Sequence, residues 1–215
     1  MGSQNLASSL KSFHYRIDHA ADFANRCESA RHATANRPGL RNIQLEWVAE
    51  AALLKIVIAS EQLFEHSMAM YVAGHKSPSG YRPGCLRRMN ISISDARSIF
   101  KGDQNYVGWV DTSVVVRRAE RWLKQGEPFS SILASSSTLL GYLRTMRNMI
   151  AHESDEARDK YIQATRRVYG SLPKRAVPGA QLLEPPPTSF SYLTGRNLLQ
   201  ATVATYRAIG TALIP

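Results

Sequence analysis

The chain has 215 residues, 44% of them hydrophobic, a length and composition that support a core without outside help and point to one domain. Its 27 basic residues against 17 acidic ones give a formal charge of +10, and 20 of the 27 are arginine; this favours a polyanionic partner, nucleic acid first, although a genome habit of arginine codons accounts for the bias equally well. The two cysteines, Cys27 and Cys85, lie far apart without companions at zinc-ligand spacing, which argues against a disulfide framework or zinc module, and the lack of a membrane-length apolar run or signal core predicts a cytoplasmic protein with no membrane partner.

Leu6, Leu10, Phe13, Ile17, Ala21, Ala24 and Cys27 recur at steps of three and four, predicting a first amphipathic helix stopped by Pro38-Gly39. A second, long helix is predicted from about Arg41 to Ala73, ended by Gly74. Trp47, Ala51, Leu54, Ile58 and Glu65 run along one side of it, with Val57, Phe64 and Met68 beside them. Glu50 and Glu61 fall among these apolar positions. One reading turns a carboxylate inward onto an arginine, and the other lets helix-edge glutamates reach solvent.

From about 75 to 110 the chain turns irregular, with Ser-Pro, Ser-Gly and Arg-Pro-Gly punctuation and a basic cluster at Arg82, Arg87 and Arg88. This reads as an insertion with one short helix. Asp111 or Thr112 caps a further helix to about Lys124, whose face carries Arg117, Arg118, Arg121 and Lys124, a pattern that usually marks a solvated face. After Gly126-Glu127-Pro128 a fourth major helix starts near Ser130 and runs through His152 on an apolar stripe of Leu139, Leu143, Met146 and Ile150. Pro173, Pro178 and Pro185 to Pro187 make the stretch from about 171 to 188 an exposed loop. A last helix carries Leu199, Val203, Tyr206 and Leu213. With no alternating strands, nucleotide-binding glycine loop or repeat, the predicted fold class is all-α.

The residues that carry chemistry lie on the fourth helix. Arg144, Asn148 and His152 form a polar stripe, and Arg147 sits between that stripe and the apolar one, about 140° from His152 on ideal geometry. That gap is wide, so either the helix deviates or a second subunit helps. Ser137, Gly141 and Thr145 are small residues on the polar side that would admit another helix, a weak dimer signal. Taken as residues alone, Arg147 pairs equally well with Glu61 or Glu50 to fasten two helices, while His152 merely ends a buried stretch. A metal reading rests on His152, Asp155, Glu156 and Asp159 at helical steps, against which Glu156 and Lys160 make an ordinary surface pair. His14, His19, His32, His66 and His75 show no ligand spacing and read as surface or packing residues. No metal or cofactor is expected.

The run Arg147-Asn148-Met149-Ile150-Ala151-His152, an arginine, a polar residue, three further positions and a histidine, resembles the ribonuclease motif of the higher eukaryotes and prokaryotes nucleotide-binding (HEPN) superfamily. The helix order is similar too, since that family is a bundle of four to five helices with the motif on a late helix. The resemblance implies a homodimer in which two copies of the motif share a cleft and cut RNA without metal, giving a 2′,3′-cyclic phosphate and a 5′-hydroxyl. Arg147 would hold the anionic transition state, His152 would move protons, Asn148 would orient His152 or donate to a phosphate oxygen, and Arg144 would contact phosphate. It also implies a toxin restrained by an antitoxin, or a phage-defence effector. The alternative within the family is a non-catalytic module that binds nucleotide or RNA or docks a partner protein.

Overall fold

The computed structural model describes residues 5–30, 41–86, 91–101, 108–152, 154–193 and 195–215. Among them the backbone forms nine α-helices and no strand beyond one antiparallel bridge between Cys85 and Leu123, so the fold is all-α. The helices are α1 Leu6–Ser29, α2 Asn42–Val72, α3 Ile93–Lys101, α4 Thr112–Trp122, α5 Phe129–Ser135, α6 Ser137–His152, α7 Asp155–Tyr169, α8 Pro178–Leu183 and α9 Leu198–Leu213. None of them is long and apolar enough to cross a membrane. The predicted stop at Pro38-Gly39 and the arginines Arg87 and Arg88 lie outside the described residues.

The chain divides into two compact units. The first comprises Met1–Tyr15, Ile58–Ser137 and Arg207–Pro215. Its core gathers Phe13, Leu63, Phe64, Met68, Val115, Phe129, Leu133 and Leu213. α9 packs closely on α1 here, because a Cβ at Gly210 would meet the Phe13 ring at 2.7 Å. The buried Tyr71 hydroxyl donates to the Leu213 carbonyl at 2.6 Å, which ties the end of α2 to the end of α9. The stretch expected as an insertion belongs to this unit: Phe100 of α3 meets Trp109 and Trp122 edge-on, with ring centroids at 6.0 and 6.3 Å. Asp111 caps α4, its carboxylate accepting from the Ser113 N–H at 3.0 Å.

The second unit comprises Arg16–Val57 and Thr138–Tyr206. Ile17, Leu45, Leu53, Ile56, Leu139, Leu143, Met146, Tyr161, Leu182 and Leu199 are buried in it. The carboxylate buried most fully on α2 is that of Glu46, whose side chain is 4% exposed and pairs with Arg175 at 2.7 Å, while Glu50 and Glu61 are half-buried. A buried carboxylate without such a partner would be costly, and a half-exposed arginine meets it while keeping its own hydration.

Three expectations are corrected. The stripe of Trp47, Ala51 and Ile58 faces outward, with Trp47 60% and Ile58 38% exposed, and the buried face of α2 runs instead through Leu45, Ala49, Ala52, Leu53, Ile56 and Leu63. The helix predicted from Ser130 to His152 is two helices broken at Ser136. There the serine run gives the backbone other partners, and the Ser135 hydroxyl donates to the Ile132 carbonyl at 2.7 Å. The proline-rich stretch is not all exposed loop. Pro178 opens α8, where its missing N–H is no loss and its fixed φ suits a first turn. Gly179, Ala180, Gln181 and Leu182 are buried behind it, and a Cβ at Gly179 would come within 2.5 Å of the Glu46 carbonyl oxygen.

Candidate active site

α6 is fastened by its apolar side. Leu139, Leu140, Tyr142, Leu143 and Met146 are buried. The Tyr142 hydroxyl donates to the Gln181 side-chain oxygen of α8 and lies 3.3 Å from the Thr165 hydroxyl of α7. Tyr161 of α7 donates to the same Gln181 oxygen. Burial, first among the causes, raises both tyrosine pKa values above their ordinary range, so these hydroxyls remain donors at any working pH. The proline-rich segment thereby holds the helix that bears the motif.

On the opposite side, Arg144 and Asn148 are half-buried one turn apart, and His152 is exposed as the last residue of α6. Arg147 is half-buried, and its Nη1 donates to the Asn148 Oδ1 at 3.2 Å. Two of the four predicted site residues, Arg147 and Asn148, are therefore in contact, and His152 stands one turn beyond Asn148 at the helix end. The carboxylate of Glu50 accepts from the Gly179 N–H at 3.0 Å. Of the small residues on this face, a Cβ at Gly141 would meet nothing within 4 Å.

The helix does not continue through the acidic residues that follow. Ser154 caps α7, its hydroxyl accepting from the Ala157 N–H at 3.2 Å, so His152 ends one helix while Asp155, Glu156 and Asp159 belong to the next. The spacing behind the metal reading assumed one helix, and among the described residues no group of three or more metal-ligating side chains comes together. Glu156 and Lys160 form the surface pair expected of them.

Beside the end of α6 lies a cavity of about 320 Å³, with Trp47, Met149, Ile150 and Pro178 on its apolar side and Asp155 and Arg158 from the first turn of α7. No protein-family model, curated protein or solved structure matches the chain. The site's reading therefore rests on its residues and their geometry.

Sequence reasoning missed a second arrangement, in the first unit. A cleft of about 450 Å³ opens between α2, which supplies Glu61 and Glu65, and α3, which supplies Arg97 and Lys101, with Trp109 against them. Behind it His66 is 7% exposed, and its Nδ1 lies 2.6 Å from an Arg97 guanidinium nitrogen. Burial lowers the His66 pKa, and the charges of Arg97 and His75 lower it further. A guanidinium can only donate, so the ring nitrogen accepts from Arg97, whose Nε lies 3.7 Å from Glu65. The partners are 31 residues apart, and no local spacing announces them.

Proposed function

We propose that the protein is a metal-independent endoribonuclease of the HEPN type, acting as a toxin or phage-defence effector. The observation that carries this reading is the contact between Arg147 and Asn148 at the end of α6, with His152 exposed one turn further on. RNA brings its own nucleophile. The 2′-hydroxyl oxygen attacks the adjacent phosphorus, the bond from phosphorus to the 5′ oxygen breaks, and a cyclic phosphate and a 5′-hydroxyl result. His152 accepts the 2′-hydroxyl proton and, once protonated, returns a proton to the departing 5′ oxygen. Arg147 neutralises the extra negative charge on the phosphorane oxygens. Asn148 positions that guanidinium through the bond its oxygen accepts, and Arg144 contacts a neighbouring phosphate.

The angular gap of about 140° between Arg147 and His152 on one helix makes a homodimer part of this proposal, with two motifs sharing one cleft and an antitoxin or other partner restraining the activity. The same gap favours, for a lone chain, the second reading: a non-catalytic module that binds RNA or nucleotide or docks a partner.

The test is cleavage of end-labelled RNA in excess EDTA by the wild-type protein and by the Arg147→Ala and His152→Ala variants. Expected are 2′,3′-cyclic phosphate ends from the wild type, with about a hundred- to ten-thousandfold loss in each variant. In cells, wild-type expression arrests growth and either substitution relieves the arrest. Retarded but intact RNA supports the binding module, and cleavage that EDTA abolishes, or that all three proteins perform equally, removes the nuclease reading.

A further inference from the structure

The arginines of α4 do not behave as a merely solvated face. Arg117 and Arg121 are exposed one turn apart, and among the described residues neither is ion-paired. Between them in sequence, Arg118 is half-buried, with its guanidinium carbon 5.0 Å from the centre of the Trp109 ring and a nitrogen donating to the Gly108 carbonyl at 3.4 Å. Arg117 is steadied by the Ser113 hydroxyl at 3.3 Å. The half-buried indole of Trp122 follows on the same helix, held edge-on against Phe100. The only acidic residue within the helix is Glu120.

Three guanidiniums held this close repel one another. The pKa of Arg118 is lowered by burial first and then by the charges of Arg121 and Arg117. An arginine gathered only to complement the end of a helix dipole would not need two further cations beside it, nor an aromatic plate beneath it. A partner that brings evenly spaced negative charge relieves the repulsion. Four residues of helix, about 6 Å along the axis, separate Arg117 from Arg121, which suits successive phosphates of an extended strand. A basic ladder that tracks the backbone is the electrostatic half of the arrangement by which proteins hold single-stranded nucleic acid without reading its sequence.

We propose that the face of α4 carrying Arg117, Arg118 and Arg121 is a binding track for the phosphodiester backbone of single-stranded RNA. It rests on the nuclease reading only for the choice of RNA as the polyanion. Arg117 and Arg121 contact the backbone, and Arg118 is the anchored member of the set.

The test is the salt dependence of binding of a fluorescein-labelled single-stranded RNA 12-mer, measured by anisotropy on full-length His152→Ala protein so that the probe stays intact. The Arg117→Ala/Arg121→Ala double variant is compared with its parent, after circular dichroism has matched their melting. Two lost phosphate contacts lower the slope of log Kd against log salt by about 1.4. The charge-preserving Arg117→Lys/Arg121→Lys variant restores most of that slope. An unchanged slope in the alanine variant overturns the proposal, as does an equal loss in the lysine variant. The two readings fail separately: a wild type that leaves RNA uncut while the slope still falls sinks the nuclease and keeps the track, and cleavage with an unchanged slope does the reverse.

Discussion

Within the proposed nuclease reading, the geometry of Asn148 narrows the part it would play. The sequence assigned it to His152 or to a phosphate, whereas its side-chain oxygen accepts from Arg147, the residue before it. Asn148→Ala should therefore act through the guanidinium, lowering cleavage by about tenfold to a hundredfold through misplacement while leaving the melting temperature unchanged, because the helix face it occupies is only half-buried. A variant as inactive as Arg147→Ala would mean that Asn148 itself touches the substrate. His66 makes a different prediction. Folded, its pKa is lowered by burial first and then by the charges of Arg97 and His75, with Glu65 against Arg97 on the far side. In the unfolded chain it binds a proton once the pH drops below about 6.5. The stability that comes from keeping it neutral is thus complete above that value and is lost as pH falls through the lowered folded value. His66→Gln keeps an acceptor for Arg97 and removes the titration. Its melting temperature should fall less between pH 7.5 and pH 5.5 than that of the wild type.

At the scale of elements, the sequence is most legible where periodicity has one direction. α1 buries Leu6, Phe13, Ile17, Ala21 and Ala24 of the predicted stripe, α4 starts at its predicted cap, and α6 buries Leu139, Leu143 and Met146 as expected. α2 has apolar residues on nearly every side, so spacing alone could not say which side faces the core: Trp47, Ala51 and Ile58 of the expected stripe are exposed, whereas Val57, Phe64 and Met68 beside it are buried. α8 was hidden for another reason. Proline breaks a helix in its interior, but at the first helical position it begins one. That short helix matters to the site, because its Gln181 receives the hydroxyls of Tyr142 and Tyr161. Gln181→Leu leaves both buried donors without that acceptor and should lower stability by about 2–4 kcal/mol. At a temperature where the variant remains folded, its cleavage rate should stay within a few-fold of wild type, since no group of the motif is changed; urea melts and single-temperature rates separate the two effects.

At the scale of the molecule, the chain forms two compact units whose segments interleave in sequence, which no reading of local pattern would find, since the ends of α1, α2 and α9 belong to different units. The proposed dimer makes its prediction here. If two motifs share one cleft, mixing Arg147→Ala with His152→Ala protein after mild dissociation should recover activity, because the mixed pair retains one intact guanidinium and one intact imidazole. A mixture no more active than either parent would place the whole reaction within one copy or nowhere. The three indoles of the chain occupy three different settings: Trp109 is nearly sealed in the first unit, Trp122 is half-covered, and Trp47 projects from the second unit at the lip of the cavity beside α6. Their light emission therefore differs in colour, with Trp47 contributing the red edge that a soluble quencher such as acrylamide removes first. That one side chain is a built-in optical probe next to the motif, and anything that settles over it, a second copy or a strand of RNA, will announce itself as a blue shift before any chemistry is measured.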